Sequence, residues 1–555
     1  MKRHAACLAG LASLLLSAAP RATVAQTAEP RDTADRAVDR LFEAWRDTTS
    51  PGCAVGVSRD GNPLLQRAYG MANLETGTPN RPGTIFHGAS LAKQFTAMAV
   101  LLLVRDGKLS LDDDVRRFIP ELPDYGTRIT VRHLLGHTSG LRDFFELLIL
   151  GRGRFEEDRI TQADALDVIT RQAALNFAPG SEYLYSNSGY LLAALVVQRV
   201  SGQPLRDFAA QRIFTPLGMS ATRFQDDFTS LVPGRAAGYA RRGTGWRSSM
   251  PNYDVYGPTN LLTTVGDLLR WSANLHDPHV GDTAIVRAMA TTGVLADGDP
   301  SDYGLGLSIA KDRGVSVIEH EGSDPGFRAY LGRFDGRIAV AVLCNFRNVN
   351  AVSLGHQIAW LYLDTPPASA PDPVPTPIAS VPVDVVARRA GVYLIPRTLE
   401  VIELTMKDGT LYTARQNGAR LVPLDSTRFL IAGRTTQLVF EPREHSGYVA
   451  LIPGRHPITV EWHAPVRPTR AALEMYAGTY HSEELSSTFR LTAGDSTLTL
   501  TTGTSPGLAA RPVFADTFVS GQYTIQFLRR AGRVSGFEIT HPRARRVRFV
   551  RVTRS

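Results

Sequence analysis

The chain has 555 residues, of which 43% are hydrophobic and 21% are charged, and its formal net charge is +8. This composition is typical of a globular protein with two to four domains, and it excludes a disordered or fibrous chain. Much of the positive charge lies in residues 543–555, where arginines alternate with apolar residues. This alternation predicts a strand with one solvated face rather than an anion-binding site.

Residues 1–25 have the features of a secretory signal peptide. Basic residues 2–4 precede an apolar run over residues 5–19, and small residues lead up to Ala25. We therefore expect export, to the periplasm or the medium, after cleavage near Ala25. The apolar run is too short for a stable membrane span, and no later stretch is long and charge-free enough to form one. We expect no nucleic-acid partner for an exported chain of modest charge.

Two cysteines remain after cleavage. Cys53 and Cys344 each lie in an apolar run that predicts a buried strand. An oxidising compartment would allow a disulfide if these strands were neighbours. Free cysteine also behaves as a small buried apolar residue. The sequence favours two buried thiols and leaves the disulfide open.

A proline-rich stretch divides the chain into two unlike parts. Residues 364–377 read DTPPASAPDPVPTP, and proline stiffens such a segment into an extended linker. Before it, residues 30–363 mix long helical patterns with strands. After it, short alternating runs broken by turn residues predict an all-β structure. In the first part, strands are predicted over 52–70, 315–322 and 337–345, and a closing helix over 354–361.

The all-β part repeats itself after roughly 87 to 89 residues. The repeat predicts two β modules, residues 378–466 and 467–555, each a small barrel or sandwich. The matching pairs are Ala390-Gly-Val-Tyr393 with Ala477-Gly-Thr-Tyr480, Leu404 with Leu491, Leu411 with Leu498, Phe429 with Phe518, Phe440 with Phe527, and Gly447 with Gly536.

Lys93 is an unusual cation for this chain, because only five of the 61 basic residues are lysines. Arginine stays protonated in proteins, whereas a buried lysine can lose its proton and act as a base. Lys93 follows Ser90 by three residues, at the head of an apolar stretch that predicts a buried helix ending near Gly107. On a helix these two side chains would be neighbours, so the lysine could activate the serine.

A Ser-x-x-Lys pattern is weak by itself, since it recurs at Ser308 and Lys311. That second match lies in an alternating run, where residues three apart point to opposite faces of a strand. At Ser90, a helix start would offer free N–H groups to a developing oxyanion, and burial would lower the pKa of Lys93. The alternative is a capping serine and a lysine that extends from a core helix to solvent.

Two further motifs favour catalysis. Tyr185-Ser-Asn187 is the only Tyr-x-Asn in the chain, and His320-Glu-Gly322 follows a predicted strand. Ser-x-x-Lys with two comparable motifs is typical of penicillin-binding proteins and one class of β-lactamases. From Ala37 to Leu363 the chain resembles the serine hydrolase family of class C β-lactamases, DD-carboxypeptidases, D-aminopeptidases and related esterases. The resemblance also includes HLLGHTSGL at 133–141, PGSEYLYSNSGY at 179–190, PLGM at 216–219 and NLLTTVGDLLRW at 260–271.

The resemblance implies an α+β catalytic domain, in which a helical subdomain packs on an antiparallel sheet with flanking helices. It also implies an acyl-enzyme mechanism, for which we expect no metal and no cofactor. The implied roles are Ser90 as nucleophile, Lys93 and Tyr185 as the proton-transfer pair, Asn187 as an orienting group, His320 as the opposite wall, and the N–H groups of Ser90 and Ser323, next to Gly322, as the oxyanion hole.

His320 stands where β-lactamases of this family carry the lysine of Lys-Thr-Gly. Histidine is mostly neutral at neutral pH, so selection for β-lactam or peptide carboxylates should be weaker. The histidine variant is similar to D-aminopeptidases, which carry two β-barrel domains, and to esterases. We expect a peptidase or amidase acting on small peptide or D-amino-acid substrates. A carboxylesterase, a β-lactamase or DD-carboxypeptidase, and a non-catalytic scaffold stay open as alternatives, as does a homo-oligomer.

Overall fold

The structure is a computed structural model that describes residues 30–153, 158–364, 381–414, 418–443, 445–503 and 507–552. The predicted signal peptide lies outside the described residues, and so does the predicted linker apart from Asp364. None of the helices in the described ranges has both the length and the apolar character that a membrane crossing requires.

Helices and strands are interspersed up to residue 362, with 3-10 turns at Glu43–Trp45, Ala89–Leu91 and Val115–Arg117 and a π turn at Ala210–Phe214. The elements are α1 (Pro30–Leu41), β1 (Cys53–Arg59), β2 (Asn62–Tyr69), β3 (Met71–Asn73), β4 (Thr78–Pro79), β5 (Phe86–His87), α2 (Ala92–Arg105), α3 (Val131–Leu135), α4 (Phe144–Arg152), α5 (Gln162–Thr170), α6 (Asn187–Ser201), α7 (Leu205–Ala209), β6 (Arg223–Phe224), β7 (Tyr239–Arg242), β8 (Gly245–Ser248), β9 (Leu261–Thr263), α8 (Val265–Asn274), α9 (Thr283–Met289), β10 (Ser308–Asp312), β11 (Val315–Asp324), β12 (Phe327–Phe334), β13 (Ile338–Cys344) and α10 (Ala351–Tyr362).

Six of these strands form one antiparallel sheet in the order β10-β11-β12-β13-β1-β2. The first hairpin of the chain therefore pairs with the last strand before the linker. Helices α1 and α10 cover one face of the sheet, and α8 covers the other. Because both faces are covered, every side chain of β13 is buried. The predicted α+β architecture is confirmed.

A disulfide joins Cys53 on β1 to Cys344 on β13. The two residues lie directly opposite each other in the register of the strand pair. The expectation of two buried thiols is therefore wrong. These strands are distant in sequence and become neighbours only when the sheet closes, so their pairing follows from the topology.

Helix α2 is the centre of the helical subdomain. All side chains from Ala92 to Leu103 are buried, and α6 and α7 pack against them. A helix that is apolar all round must be enclosed by partners on every side, as the sequence predicts. Lys93 is fully buried within it, which excludes the alternative of a lysine that extends along the surface to solvent.

Each predicted β module is a closed eight-stranded barrel, so neither sheet leaves an open edge. The first follows α11 (Val383–Ala387) and contains β14 (Gly391–Ile395), β15 (Glu400–Lys407), β16 (Thr410–Thr413), β17 (Arg420–Pro423), β18 (Arg428–Ile431), β19 (Gln437–Phe440), β20 (Tyr448–Leu451) and β21 (Ile458–His463). The second follows α12 (Arg470–Leu473) and a 3-10 turn (Glu474–Tyr476), and contains β22 (Gly478–Ser482), β23 (Ser487–Ala493), β24 (Leu498–Thr501), β25 (Leu508–Phe514), β26 (Thr517–Ser520), β27 (Tyr523–Arg530), β28 (Arg533–His541) and β29 (Ala544–Arg551).

The repeat seen in the sequence has a structural counterpart at the start of each barrel. The hydroxyl of Tyr393 donates to the carbonyl of Arg389, and that of Tyr480 donates to the carbonyl of Tyr476, both at 2.8 Å. The two tyrosines thus secure the same first strand to the segment before it. The paired residues of the repeat therefore mark equivalent positions of two copies of one barrel.

The second barrel shares a continuous hydrophobic core with the helical subdomain, whereas the first has a core of its own. Leu485 of the second barrel packs against Gly151 of α4. Beside it, Arg142 donates to Glu484 at 2.8 Å, and the arginine side chain is only 1% exposed. Removing either partner of such a buried ion pair would leave the other charge buried and unpaired.

Replacing Glu484 with Gln should lower the free energy of unfolding of the unit that contains this contact by about 3 to 5 kcal/mol, because Arg142 would be left buried without an anion. Urea unfolding followed by tryptophan fluorescence measures the change. The matched control is Glu43→Gln, which breaks the exposed pair with Arg46 and should leave stability unchanged. Equal stability of Glu484→Gln and the unmodified protein would contradict this prediction.

Candidate active site

Ser90 lies in the 3-10 turn that leads into α2. The residue before it, Ala89, has φ of 49°, a left-handed conformation that costs a non-glycine residue about 1 to 2 kcal/mol. Ala89 and Leu91 are buried, whereas Ser90 is partly exposed. Ser90 makes no capping hydrogen bond to α2, so the capping alternative is wrong. The strained turn instead presents the serine hydroxyl to a cleft at the N-terminal end of the helix.

The amine of Lys93 is a close neighbour of this hydroxyl. Its Nζ is 3.1 Å from Ser90 Oγ, and it donates to Asn187 Oδ1 at 2.9 Å and to the carbonyl of Pro258 at 2.8 Å. Asn187 and Pro258 thus accept two hydrogen bonds from the amine, and the serine oxygen is its third polar neighbour. The sequence prediction that these two residues meet is confirmed as geometry.

Burial lowers the pKa of Lys93 from 10.5 to about 7. The negative charges of Asp143 and Asp324 partly oppose this effect, while the positive charge of Arg543 adds to it. A large fraction of Lys93 is therefore a neutral amine at neutral pH. A neutral amine at this distance can accept the proton of Ser90.

Tyr185 lines the cleft beside both residues. Lys93 Nζ lies 4.6 Å from the centroid of its ring. Burial raises the pKa of Tyr185 well above 10.0, although a hydrogen bond with Ser90 acts in the opposite direction. The phenol thus stays protonated at neutral pH. It can give a proton to a substrate, whereas Lys93 is the group able to take one.

Asn187 is held in place by Asp143, a residue that the sequence analysis missed. Asp143 Oδ2 accepts hydrogen bonds from the backbone N and the Nδ2 of Asn187, at 2.7 and 2.9 Å. Its other oxygen accepts from the backbone N of Phe145 and caps α4. Because Nδ2 is fixed on Asp143, Oδ1 of Asn187 faces Lys93. An acidic residue just before the apolar run of α4 was the available signal for this cap.

His320 lies within β11, rather than after a strand, and forms the opposite wall of the cleft. Its Nδ1–H donates to the carbonyl of Glu321 at 2.7 Å, so Nε2 accepts from the hydroxyl of Tyr303 at 3.0 Å. Burial, with the charge of Lys93, lowers its pKa to about 3. His320 is thus a neutral imidazole with both nitrogens occupied. No sequence motif pointed to Tyr303, whose hydroxyl holds this ring.

Gly322 lets β11 approach the turn that carries Ser90. A Cβ at this position would lie 2.4 Å from the carbonyl oxygen of Gly88, closer than any side chain allows. The next residue, Ser323, then lies on the same cleft as Ser90, which is the arrangement expected of two oxyanion-hole residues. The cleft has a volume of about 500 Å³ and is lined by Ser90, Phe145, Glu146, Tyr183, Tyr185, Asn187, Thr259, Ser308, His320, Glu321, Ser323, Asp324 and Arg543.

The second Ser-x-x-Lys match does not form a pair. Ser308 and Lys311 lie on β10, where Ser308 lines the cleft and Lys311 is exposed. Residues three apart on a strand point to opposite faces, as predicted. Spacing alone therefore did not distinguish the two matches, whereas the type of secondary structure did.

One cluster among the described residues has side chains that could hold a metal ion, namely Asp297, Asp299 and His456. It lies between the catalytic domain and the first barrel rather than in the cleft. The backbone N of His456 donates to both oxygens of Asp299, at 3.0 and 2.9 Å, and its ring contacts the same carboxylate. These hydrogen bonds explain why the side chains lie together, because they form a contact between two domains.

Comparison with known proteins gives three findings. Residues 34–360 match the Beta-lactamase family. The D-aminopeptidase of Cereibacter sphaeroides is 31% identical over 338 residues, which cover 59% of this chain and 64% of that protein, less than two thirds of its length. Penicillin-binding protein 4* of Bacillus subtilis is 27% identical over 428 residues, 72% of this chain and 92% of that protein.

Among solved structures, the octameric penicillin-binding protein homologue from Pyrococcus abyssi has a similar fold. It covers 78% of this chain and 98% of its own, with a TM-score of 0.53 and 22% sequence identity. At this level of identity the likeness concerns the fold alone. The relatives that these comparisons name are of the kinds that the motifs predicted.

Two histidines of this domain, the buried His320 and the half-buried His356, should titrate differently. His320 should stay unprotonated from pH 5 to 8, because burial lowers its pKa to about 3. Burial alone would also lower the pKa of His356, but its hydrogen bonds to Glu319 and Asp312 outweigh this and raise it above 6.5. His356 should therefore gain its proton at a higher pH than a free histidine does. NMR of the histidine-labelled protein over pH 5 to 8 follows the titration of both rings.

The variants His320→Gln and His356→Gln assign the two ring resonances by removing one each. A His320 resonance that shifts with a midpoint near 6.5 would contradict the neutral, doubly hydrogen-bonded imidazole. The expected His320 resonance does not change over this range.

Proposed function

Since the chain belongs to the Beta-lactamase family and is a serine hydrolase by fold and relatives, we propose that it works through an acyl-enzyme on Ser90. Its substrates are small peptides or D-amino-acid amides, so it acts as a peptidase or amidase. One observation carries this proposal: a fully buried lysine with a pKa of about 7 has its Nζ 3.1 Å from Ser90 Oγ.

The proton transfers follow from the two pKa values. Neutral Lys93 takes the proton of Ser90 as Oγ bonds to the substrate carbonyl carbon, and the N–H groups of Ser90 and Ser323 stabilise the oxyanion. Tyr185 gives its proton to the leaving nitrogen as the C–N bond breaks. The proton on Lys93 then restores the phenol. In the second half, water gives a proton to the same pair as its oxygen bonds to the ester carbon. The C–Oγ bond then breaks, the pair returns that proton to Ser90 Oγ, and the acid product leaves.

A scaffold or binding module is the alternative of another class. Such a module has no use for an uncharged lysine, whereas a general base requires one. Burying a lysine costs free energy because its charged form loses its hydration, so a function that uses the neutral amine explains this cost. The strained turn at Ala89 is a second cost, and presentation of Ser90 to the cleft explains it. Both features favour an enzyme over a scaffold.

The D-amino-acid preference rests on likeness to relatives. The D-aminopeptidase from Cereibacter sphaeroides shares 31% identity with the catalytic part of this chain. His320 is neutral, so the position that a lysine occupies in β-lactamases carries no charge here. The first observation supports a D-stereospecific peptidase or amidase, and the second is a departure from the β-lactamase pattern at this position.

We also propose that the protein is exported. Residues 1–25 have the charge and apolar pattern of a signal peptide. The disulfide between Cys53 and Cys344 supports this, because disulfides persist in oxidising compartments outside the cytoplasm.

A fluorophosphonate probe should label Ser90, and Ser90→Ala should abolish labelling. Lys93→Ala should slow labelling about 10²- to 10⁴-fold, since it removes the general base. In the unmodified protein the labelling rate should rise with pH through about 7, because protonated Lys93 cannot accept the serine proton. Mass spectrometry and a time course over pH 5 to 9 measure both.

The matched controls are Ser316→Ala and Lys311→Ala, which change exposed residues on β11 and β10 and should label at the original rate. Labelling that persists in Ser90→Ala would exclude Ser90 as the nucleophile. A rate that does not change with pH would exclude Lys93 as the base.

Three chromogenic substrates should separate the candidate activities: D-alanine p-nitroanilide, p-nitrophenyl acetate and a chromogenic cephalosporin. We expect the D-anilide to be turned over with the highest kcat/KM relative to its uncatalysed rate, and L-alanine p-nitroanilide at least about tenfold more slowly. Absorbance assays with Ser90→Ala as the blank measure this. A dominant ester rate would instead indicate a carboxylesterase, and a dominant cephalosporin rate a β-lactamase.

A further inference from the structure

One wall of the cleft comes from the second barrel. Arg543 lies in the turn between β28 and β29, and it lines the same cavity as Ser90. Its guanidinium carbon is 5.2 Å from the ring centroid of Tyr185. The sequence predicts that the arginines of residues 543–555 lie on the solvated face of a strand. This holds for Arg546 and Arg548, which are exposed, but Arg543 faces the active site.

The turn that carries Arg543 is fixed to the catalytic domain at several points. The carbonyl of Arg543 accepts from the backbone N of Asp143 at 3.0 Å and from Nδ2 of Asn176 at 3.2 Å. The backbone N of Arg545 donates to Asn176 Oδ1 at 2.7 Å, and its buried guanidinium pairs with Glu182 at 3.0 Å. Backbone contacts on both sides therefore hold Arg543 in place, and only its side chain extends into the cleft.

The guanidinium of Arg543 has no anionic partner among the described residues. The acidic groups of the cleft are engaged elsewhere or lie at its rim. Asp324 accepts from Thr259 and lies 3.2 Å from His87, and Glu146 lies 3.5 Å from His541. Glu321 is exposed at the rim. A half-buried arginine without an anion is suited to receive one from a ligand.

The other basic groups of the cleft cannot take that role. His320 is neutral, and both of its nitrogens are occupied within the protein. Lys93 is enclosed by protein acceptors and has a lowered pKa. A guanidinium presents its donors in a fork that matches the two oxygens of a carboxylate, which makes this anion the best fit.

We propose that Arg543 binds a carboxylate on the leaving group of the substrate, so that the preferred substrates are short peptides whose free C-terminal carboxylate belongs to the residue released. The leaving-group side follows from the contact with Tyr185, the proton donor to the leaving nitrogen. This inference rests on the proposed function and specifies its substrate class. Arg543, which belongs to the second barrel, thus provides the positive charge that the neutral His320 does not.

The test compares N-acetyl-D-alanyl-D-alanine with its C-terminal carboxamide, two peptides that differ only in the carboxylate. In the unmodified protein kcat/KM for the acid should exceed that for the amide about 10- to 100-fold. Arg543→Gln should lower the ratio of kcat/KM for the acid to that for the amide by about the same factor, mostly through KM for the acid. Any effect of the lost charge on the pKa of Lys93 applies to both peptides and cancels in this ratio. Arg543→Lys, which keeps the charge without the fork, should lie between the two.

A binding readout covers the case of slow turnover. The acid should protect Ser90 from the fluorophosphonate at a lower concentration than the amide does, and Arg543→Gln should remove that difference. The probe carries no carboxylate, so this variant should still be labelled without peptide. Because loss of the Arg543 charge raises the pKa of Lys93, acid and amide are compared within each protein at pH 9, where the lysine is mostly neutral. The matched control, Arg548→Gln, removes an exposed charge from β29 and should behave like the unmodified protein.

Equal protection by acid and amide in the unmodified protein, protection by neither, or an unchanged preference in Arg543→Gln would overturn the carboxylate site. Ser90 labelling would still support the acyl-enzyme chemistry in each of these cases. Absence of labelling in the unmodified protein would instead refute the proposed function itself.

Discussion

The enclosure of one lysine amine inside an apolar helix is the constraint on which the site depends. Lys93 can be neutral only because α2 is buried on every side, and α2 is buried because α6, α7 and α9 pack against it. Its remaining hydrogen bonds go to Asn187 and Pro258, so the lone pair is available towards Ser90. Packing of the domain thus sets the protonation state of the base.

The same enclosure explains why the tyrosine and the histidine have different roles. Low solvation disfavours charge on any group, so it lowers the pKa of Lys93 and His320 and raises that of Tyr185. Only the lysine ends near neutral pH, because nearby carboxylates offset part of its desolvation. The site therefore contains one exchangeable proton acceptor, one donor and one neutral wall, although all three lie in the same cavity.

The sequence predicted the parts of this site that depend on local periodicity and on ordered motifs. A helix that is apolar all round located Ser90 and Lys93 on neighbouring turns, and the β repeat predicted two barrels. It did not predict the disulfide, Asp143 or Arg543, because each depends on contacts between segments far apart in the chain. An alternating strand pattern at residues 543–555 correctly indicated β29, but it could not show that the preceding turn meets the cleft.

That turn also changes what counts as the catalytic unit. The family match ends at residue 360, yet Arg543 lines the cleft and its carbonyl accepts from Asp143, whose carboxylate holds Asn187 against Lys93. The second barrel is thus three hydrogen bonds away from the base and shares a core with the helical subdomain. Substrate preference inferred from residues 34–360 alone omits one charged wall. The neutral His320 removes a cation from β11, whereas Arg543 places one on the barrel side of the same cleft, so the charge of the cleft does not follow from His320 alone.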